Sequence, residues 1–222
     1  MLAYIISNAM DSVDAVGISP FSAANLTVSI DGNIGAGKST VLEYINKNLG
    51  IPIDLEAVDK WAPYLERVYK HGDGAFDLQV RVWLDRCFPK TTTPGAILVE
   101  RSPLFQAGVF VAMNIKANKF TPDQIAIIND MYSLSQIMKP DIYIYLRSDP
   151  ETCAERINKR ARESEDSISI DYLKQLHTLH EATYIEALVD KKRINVIDIE
   201  GKSVAAIAAL VLQSISNMLL YE

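Results

Sequence analysis

Leu26-Thr-Val-Ser-Ile30-Asp31-Gly32-Asn33-Ile34-Gly35-Ala36-Gly37-Lys38-Ser39-Thr40 reads as a buried strand, a glycine-rich turn and the opening of a helix. Gly32, Gly37, Lys38 and Ser39 fill the pattern G-x-x-x-x-G-K-[ST]. Glycines let backbone N–H groups wrap an anion, and the helix starting near Lys38 adds the positive end of its dipole. Lys38 then reaches β- and γ-phosphate oxygens, and the Ser39 hydroxyl reaches Mg²⁺. Gly32, Asn33, Ile34, Gly35, Ala36, Gly37, Lys38, Ser39 and Thr40 are therefore predicted to cradle a nucleoside triphosphate. The pattern alone leaves open where the γ-phosphate goes.

Outward from the cradle, the chain alternates apolar strands with helices. The cradle helix runs to about Gly50, and residues 51–55 form a short strand ending at Glu56. Helical spacing covers 61–69 and 75–87, with His71-Gly72-Asp73-Gly74 as the break. A strand at 95–99 delivers Glu100-Arg101-Ser102. Helices are expected at 104–117 and at 122–137, the second capped by Thr121 with Pro122 and Gln124. A strand at 141–146, a helix opened by Asp149-Pro150, a helix at 170–189, a strand at 194–198 and a helix at 202–219 follow. Five such strands predict an α/β fold, a parallel sheet with helices on both faces. Ligands gather at the carboxyl rim of such a sheet, where Asp31, Glu56, Glu100, Arg101 and Arg147 all fall.

With 222 residues, the sequence suits one domain, taken as 25–222, behind a mobile N-terminal tail at 1–24. A net charge of -6 argues against a nucleic-acid polymer as partner, which needs a basic face. No apolar run reaches the ~20 residues of a membrane span. The first ten residues are apolar but lack a positive start. Two cysteines, Cys87 and Cys153, make a disulfide framework improbable and fit a reducing, cytoplasmic setting.

Phosphoryl transfer needs a positioned nucleophile, a base, Mg²⁺ and cations. Glu56, alone at the tip of an apolar strand, is free for the base role, or is an ordinary solvated acid. Glu100 and Arg101 leave their strand in opposite directions, so one can face Mg²⁺ and the other the reacting oxygens. Arg156, Lys159, Arg160 and Arg162 read as a solvated basic face or as a lid over phosphates, placed at about 156–168. Gln79, Trp83 and Arg86 share one helical face, and an inward amide and guanidinium want polar partners such as a nucleobase edge. Trp61 and Phe110 read equally as core. His177 and His180 lack a third metal ligand in register, so helix packing is expected there.

Taken together, Ile30-Asp-Gly-Asn-Ile-Gly-Ala-Gly-Lys-Ser39, Glu56-Ala-Val-Asp-Lys-Trp61, Phe76-Asp-Leu-Gln79, Glu100-Arg-Ser102, Arg156-Ile-Asn-Lys-Arg-Ala-Arg162 and Tyr172-Leu-Lys-Gln-Leu-His-Thr-Leu-His-Glu181 give the chain a resemblance to the deoxynucleoside kinase family, viral thymidine kinases included. The resemblance implies a P-loop kinase fold with a short arginine-rich lid. It implies ATP as donor, a deoxynucleoside as acceptor, Mg²⁺ held by Ser39 and Glu100, and a homodimer. Glu56 would be the base for the 5′-hydroxyl, assisted by Arg101. Tyr69 and Glu165 would bind the 3′-hydroxyl, and Arg156, Arg160 and Arg162 the ATP phosphates. Gln79 would pair with the base edge, Phe110 stack on it and Trp61 wall the pocket.

Two positions depart from the family pattern. Ala57 stands where proline usually follows the glutamate, and Gln106 where an acid accompanies an arginine like Arg86 in relatives acting on deoxycytidine or purines. Arg86 and Gln106 are counted with the base-reading residues, with a lean toward pyrimidines such as thymidine or deoxycytidine. The rival readings are another small-acceptor kinase, such as a nucleoside monophosphate kinase, and a non-catalytic relative kept as a structural or nucleotide-sensing subunit.

Overall fold

The computed structural model describes residues 26–88, 95–162, 165 and 168–220; the expected tail, 1–24, and part of the expected lid lie outside them. Five strands, β1 (Thr27–Gly32), β2 (Ile53–Asp54), β3 (Ile97–Glu100), β4 (Ile142–Arg147) and β5 (Ile194–Asp198), form one sheet in the order β2-β3-β1-β4-β5. Every pairing is parallel. Register places Ile30 beside both Glu100 and Ile144, so the strands release Asp31, Arg101 and Arg147 along one rim. That rim at β1 is where the strand order reverses, the usual ligand crevice of such sheets.

Alternation along β4 shows why both faces are covered. Ile142, Ile144 and Leu146 pack on one side, with Val28 and Ile30 of β1 and with Val41, Leu42 and Ile45 of α1 (Lys38–Leu49). Tyr143 and Tyr145 point the other way, into a second cluster with Phe105, Val109 and Leu176. α8 (Val204–Leu220) joins the first side through Ile207, Val211 and Ile215. The second side is covered by α7 (Ile170–Val189) and α4, which runs as Pro103–Phe105, a π-helical turn Gln106–Val111, and Ala112–Lys116. Gly108 lets α4 and α7 close up, since a Cβ there would lie 2.4 Å from the Thr183 hydroxyl.

The remaining helices build the wall opposite the rim. α2 (Val58–Glu66) continues into a second π-helical turn, Arg67–His71, and α3 (Ala75–Arg86) packs on α2 through Trp61, Leu78 and Val82. α5 (Pro122–Tyr132) opens with the expected capping box between Thr121 and Gln124. It ends five residues earlier than the periodicity predicts, the Ser133 N–H closing the last turn on the Asn129 and Asp130 carbonyls. Ile137 still reaches the core, from beyond that turn rather than from a helix, beside Trp83 and Cys87. The Asp149 cap expected for α6 (Pro150–Arg160) is also replaced: Glu200 accepts from the Asp149 N–H and from the Ser148 and Thr152 hydroxyls. Its carboxylate sits at the positive end of the helix dipole. Among the described residues, no helix is long and apolar enough to cross a membrane.

Candidate active site

A cavity of about 380 Å³ opens between the cradle, the carboxyl ends of β2 and β3, and the inner faces of α2, α3 and α4. On the cradle side it is lined by Ile34, Gly35 and Gly37 to Thr40; Gly32, Asn33 and Ala36 stand behind them. Asn33 ties the loop to α7 by donating to the Leu173 carbonyl at 2.9 Å. Gly35 has φ 82° and lies so close to α6 that a Cβ would meet the Cys153 carbonyl at 2.5 Å. Gly35→Ala is accordingly expected to distort the cradle and weaken ATP binding by at least about tenfold, measured by calorimetric titration.

Glu100 joins the cradle to the opposite wall. Its Oε1 accepts from Ser39 Oγ at 2.8 Å and lies 4.0 Å from Lys38 Nζ, while its Oε2 accepts from the Glu56 N–H at 3.1 Å. Arg101 goes the other way, as the strand geometry predicts. Its Nε donates to Glu56 Oε1 at 2.6 Å, and its guanidinium lies over the Phe110 ring at 4.4 Å. The backbone of Arg101 is left-handed, φ 68°, a conformation a non-glycine residue holds only when its surroundings enforce it. Asp31 is one enforcer, its Oδ1 accepting from both the N–H and the hydroxyl of Ser102. The Arg101 N–H donates to the Ile30 carbonyl and fixes the other side of the turn.

Electrostatics follows from this packing. Burial pushes the Glu56 carboxyl up, but Arg101 and then Lys38 outweigh it and hold the group below its ordinary value, so it is ionised. Burial, with Arg101 adding to it, pulls Lys38 down. A phosphate beside Lys38 would reverse that. Burial raises Asp31, against the hydrogen bonds from Ser102. The site thus holds an ionised carboxylate, two buried cations and an oxygen pair, Ser39 with Glu100, around one cavity.

A sequence model described as Deoxynucleoside kinase matches residues 28–216. The chain belongs to the deoxynucleoside kinase family. The Bacillus subtilis deoxyadenosine/deoxycytidine kinase is 31% identical over 167 residues, 71% of this chain and 76% of its own length. Human mitochondrial thymidine kinase 2 is 27% identical over 187 residues, 78% and 70% of the two chains. The deoxyadenosine kinase of M. mycoides, solved with dCMP and a flexible dCDP bound, superposes with a TM-score of 0.75 at 28% identity, over 87% of this chain and all of that one. The kinase is thus an enzyme that uses a nucleotide phosphate donor and a deoxynucleoside acceptor.

Most of the residues expected to form the kinase's acceptor half do line the cavity. Trp61, Tyr69, Gln79, Gln106, Phe110 and Glu165 meet there. Tyr69, Gln106 and Phe110 all sit on the two π-helical turns, whose extra residue re-aims side chains toward the cavity. Trp61 is not only core, since its Nε1 donates to Asp85 at 2.8 Å while the ring faces the cavity.

Three expectations need correction or refinement. Arg86 does not line the cavity: its guanidinium donates to the Asp54 side chain and carbonyl, the Leu55 carbonyl and the Glu100 carbonyl. It clamps two strand ends instead of a base. Trp83, on the same face, turns to Phe88 and Ile137. In the lid, Arg160 and Arg162 border the cavity but Arg156 does not, and Arg160 donates twice to Glu165, at 2.8 and 2.5 Å. His180 is buried, with Nδ1 2.7 Å from the Leu176 carbonyl, as packing predicts. Two contributors went unassigned in the sequence. Tyr172 lines the cavity edge-on to Tyr69, and Asp31 holds the Arg101 turn. A carboxylate near the end of the buried central strand was the signal for Asp31.

Proposed function

We propose that the kinase transfers the γ-phosphoryl group of ATP to the 5′-hydroxyl of a deoxynucleoside, with pyrimidine deoxynucleosides as the preferred acceptors and Glu56 as general base. The observation that carries this reading is the 2.6 Å Arg101–Glu56 bond, in the same cavity as the phosphate cradle. An ionised Glu56 takes the hydroxyl proton as the 5′-oxygen bonds to the γ-phosphorus. The bond from that phosphorus to the bridging oxygen breaks, and ADP leaves. Lys38 and Arg101 neutralise charge on the transferred group, with Arg160, Arg162 and Arg156 closing as a lid.

Mg²⁺ fits the residues present. Ser39 Oγ and Glu100 Oε1 form an oxygen pair 2.8 Å apart beside the cradle. Among the described residues no cluster of three or more His, Cys, Asp or Glu is placed to hold a metal. That sparse, oxygen-only set suits a cation that keeps its waters and binds through substrate phosphates. When bound it would draw charge from the phosphate oxygens.

Gln79 and Gln106 would face the base edge, Trp61 would wall it, and the base would stack on the face of Phe110 away from Arg101. Tyr69 and Glu165 would hold the 3′-hydroxyl, with Arg160 keeping Glu165 oriented. Glu165→Gln is expected to lower kcat/KM about tenfold for a deoxynucleoside and to leave that for its 2′,3′-dideoxy analogue unchanged. Equal losses on both substrates count against that role.

Two further expectations concern pH and assembly. Because Glu56 lies below its ordinary value of 4.5, kcat/KM should stay flat from neutral pH down to that value and fall only beneath it. The stability its ion pair contributes has the same sign, present above 4.5 and lost as pH falls through the lower folded value. We also propose one domain over 25–222, a cytoplasmic setting, which suits two buried free thiols, and a homodimer, which would cover the exposed Leu84, Ile127 and Leu134. ADP release with ATP against the four deoxynucleosides, their ribose counterparts and their monophosphates tests the function. Release with monophosphates alone would refute it.

A further inference from the structure

Gln79 and Gln106 are both buried, both line the cavity, and are joined by one hydrogen bond, Gln106 Nε2 donating to Gln79 Oε1 at 2.7 Å. That bond takes one of two lone pairs on Gln79 Oε1 and one of two N–H groups on Gln106. Each amide keeps both a donor and an acceptor for other partners. Turning a side-chain amide by 180° exchanges its oxygen and nitrogen without changing its shape. If both turn together, Gln79 Nε2 donates to Gln106 Oε1 and the bond is kept. A turn of one alone would set donor against donor or acceptor against acceptor in a buried place, which is costly.

We propose that Gln79 and Gln106 act as one reversible reader of the base edge, accepting bases of either hydrogen-bonding polarity. The proposal rests on Gln79 facing the base edge, as argued above. Cytosine presents an amino group beside a bare ring nitrogen; uracil presents a keto oxygen beside a ring N–H. A single amide matches one of these edges in one orientation and the other in its reverse. Gln106 lets Gln79 adopt both, because it answers either face with the complementary one. Arg86, two turns along the same helix face from Gln79, is held by Asp54 and by the carbonyls of Asp54, Leu55 and Glu100. Its charge is thereby directed to the strand ends rather than to the pair. A carboxylate at position 106 would only accept. It would hold Gln79 with its N–H groups toward 106, and one base polarity would be lost.

The test compares deoxycytidine with deoxyuridine, which share size and sugar and differ only in this edge. Wild-type kcat/KM values for the two are expected within about tenfold of each other. Gln106→Glu is expected to move their ratio by more than about tenfold, whichever substrate gains, since mismatched buried polar groups discriminate strongly. Gln106→Met, which neither donates nor accepts well, should lower both values and keep the ratio within about tenfold of wild type. It also serves if the glutamate variant does not fold. A wild-type ratio beyond tenfold, an unmoved ratio in a folded Gln106→Glu, or a shifted ratio in Gln106→Met each overturns the proposal. Gln79→Ala separates this from the reading beneath it: unchanged kcat/KM for both nucleosides would refute the base-edge assignment itself.

Discussion

Glu56→Gln is expected to cut kcat about 10²- to 10⁴-fold while leaving ATP affinity within about threefold. Glutamine has the same shape and its carbonyl oxygen can still accept from Arg101 Nε, so the loop keeps its place. What it loses is the ability to take a proton. The lowered pKa matters here, because a carboxylate kept ionised by Arg101 is ready as a base at every pH near neutral. ATP binding is expected to be spared because the cradle would hold the donor through the Gly35, Gly37 and Lys38 side of the cavity, and none of those groups hydrogen-bonds Glu56. Pre-steady-state turnover and calorimetric titration on the same preparation check both halves. Undiminished kcat would remove Glu56 from the chemistry, and lost ATP affinity would show that the variant disturbs the cradle.

The second large effect is on folding. Arg86→Met should destabilise the protein by about 3–5 kcal/mol, because it breaks the buried arginine's ion pair with Asp54 and removes its hydrogen bonds to the Asp54, Leu55 and Glu100 carbonyls. In a domain of this size that corresponds to a fall in Tm of roughly 10 °C. The side chain of Arg86 is fully excluded from solvent and its bond to the Glu100 carbonyl is buried, whereas the Asp54 carboxylate is 20% exposed, so most of the loss falls at Glu100. Differential scanning calorimetry reads the change. A base-reading arginine would give the opposite pattern, with Tm nearly unchanged and nucleoside KM raised. Some loss of turnover is expected as well, since the Glu100 carbonyl is one of the groups released.

These two residues show how far the sequence could be read. The place of Glu56 on the cavity rim was legible because it ends an apolar strand downstream of a phosphate cradle. The cradle, the five strands and the Thr121 cap were legible for a similar reason: each depends on local spacing and backbone chemistry. Arg86 was misread because helical periodicity states which face a side chain leaves from and not how far it reaches. Its guanidinium passes the cavity and ends on Asp54 and Glu100, partners 32 and 14 residues away. The π-helical turns that aim Tyr69, Gln106 and Phe110 were hidden too, since one extra residue in a turn leaves the apolar pattern almost unchanged. Glu200 at the start of α6 shows the same limit. The local cap, Asp149, was visible, and the distant one that took over its work was not.

The central claim is tested most directly by identifying the product. With ATP, Mg²⁺ and deoxycytidine, phosphorus NMR is predicted to show ADP and deoxycytidine 5′-monophosphate appearing in equal amounts, and Glu56→Gln to suppress both together. ADP formed without a phosphorylated nucleoside, or phosphate carried at the 3′-oxygen, would contradict it.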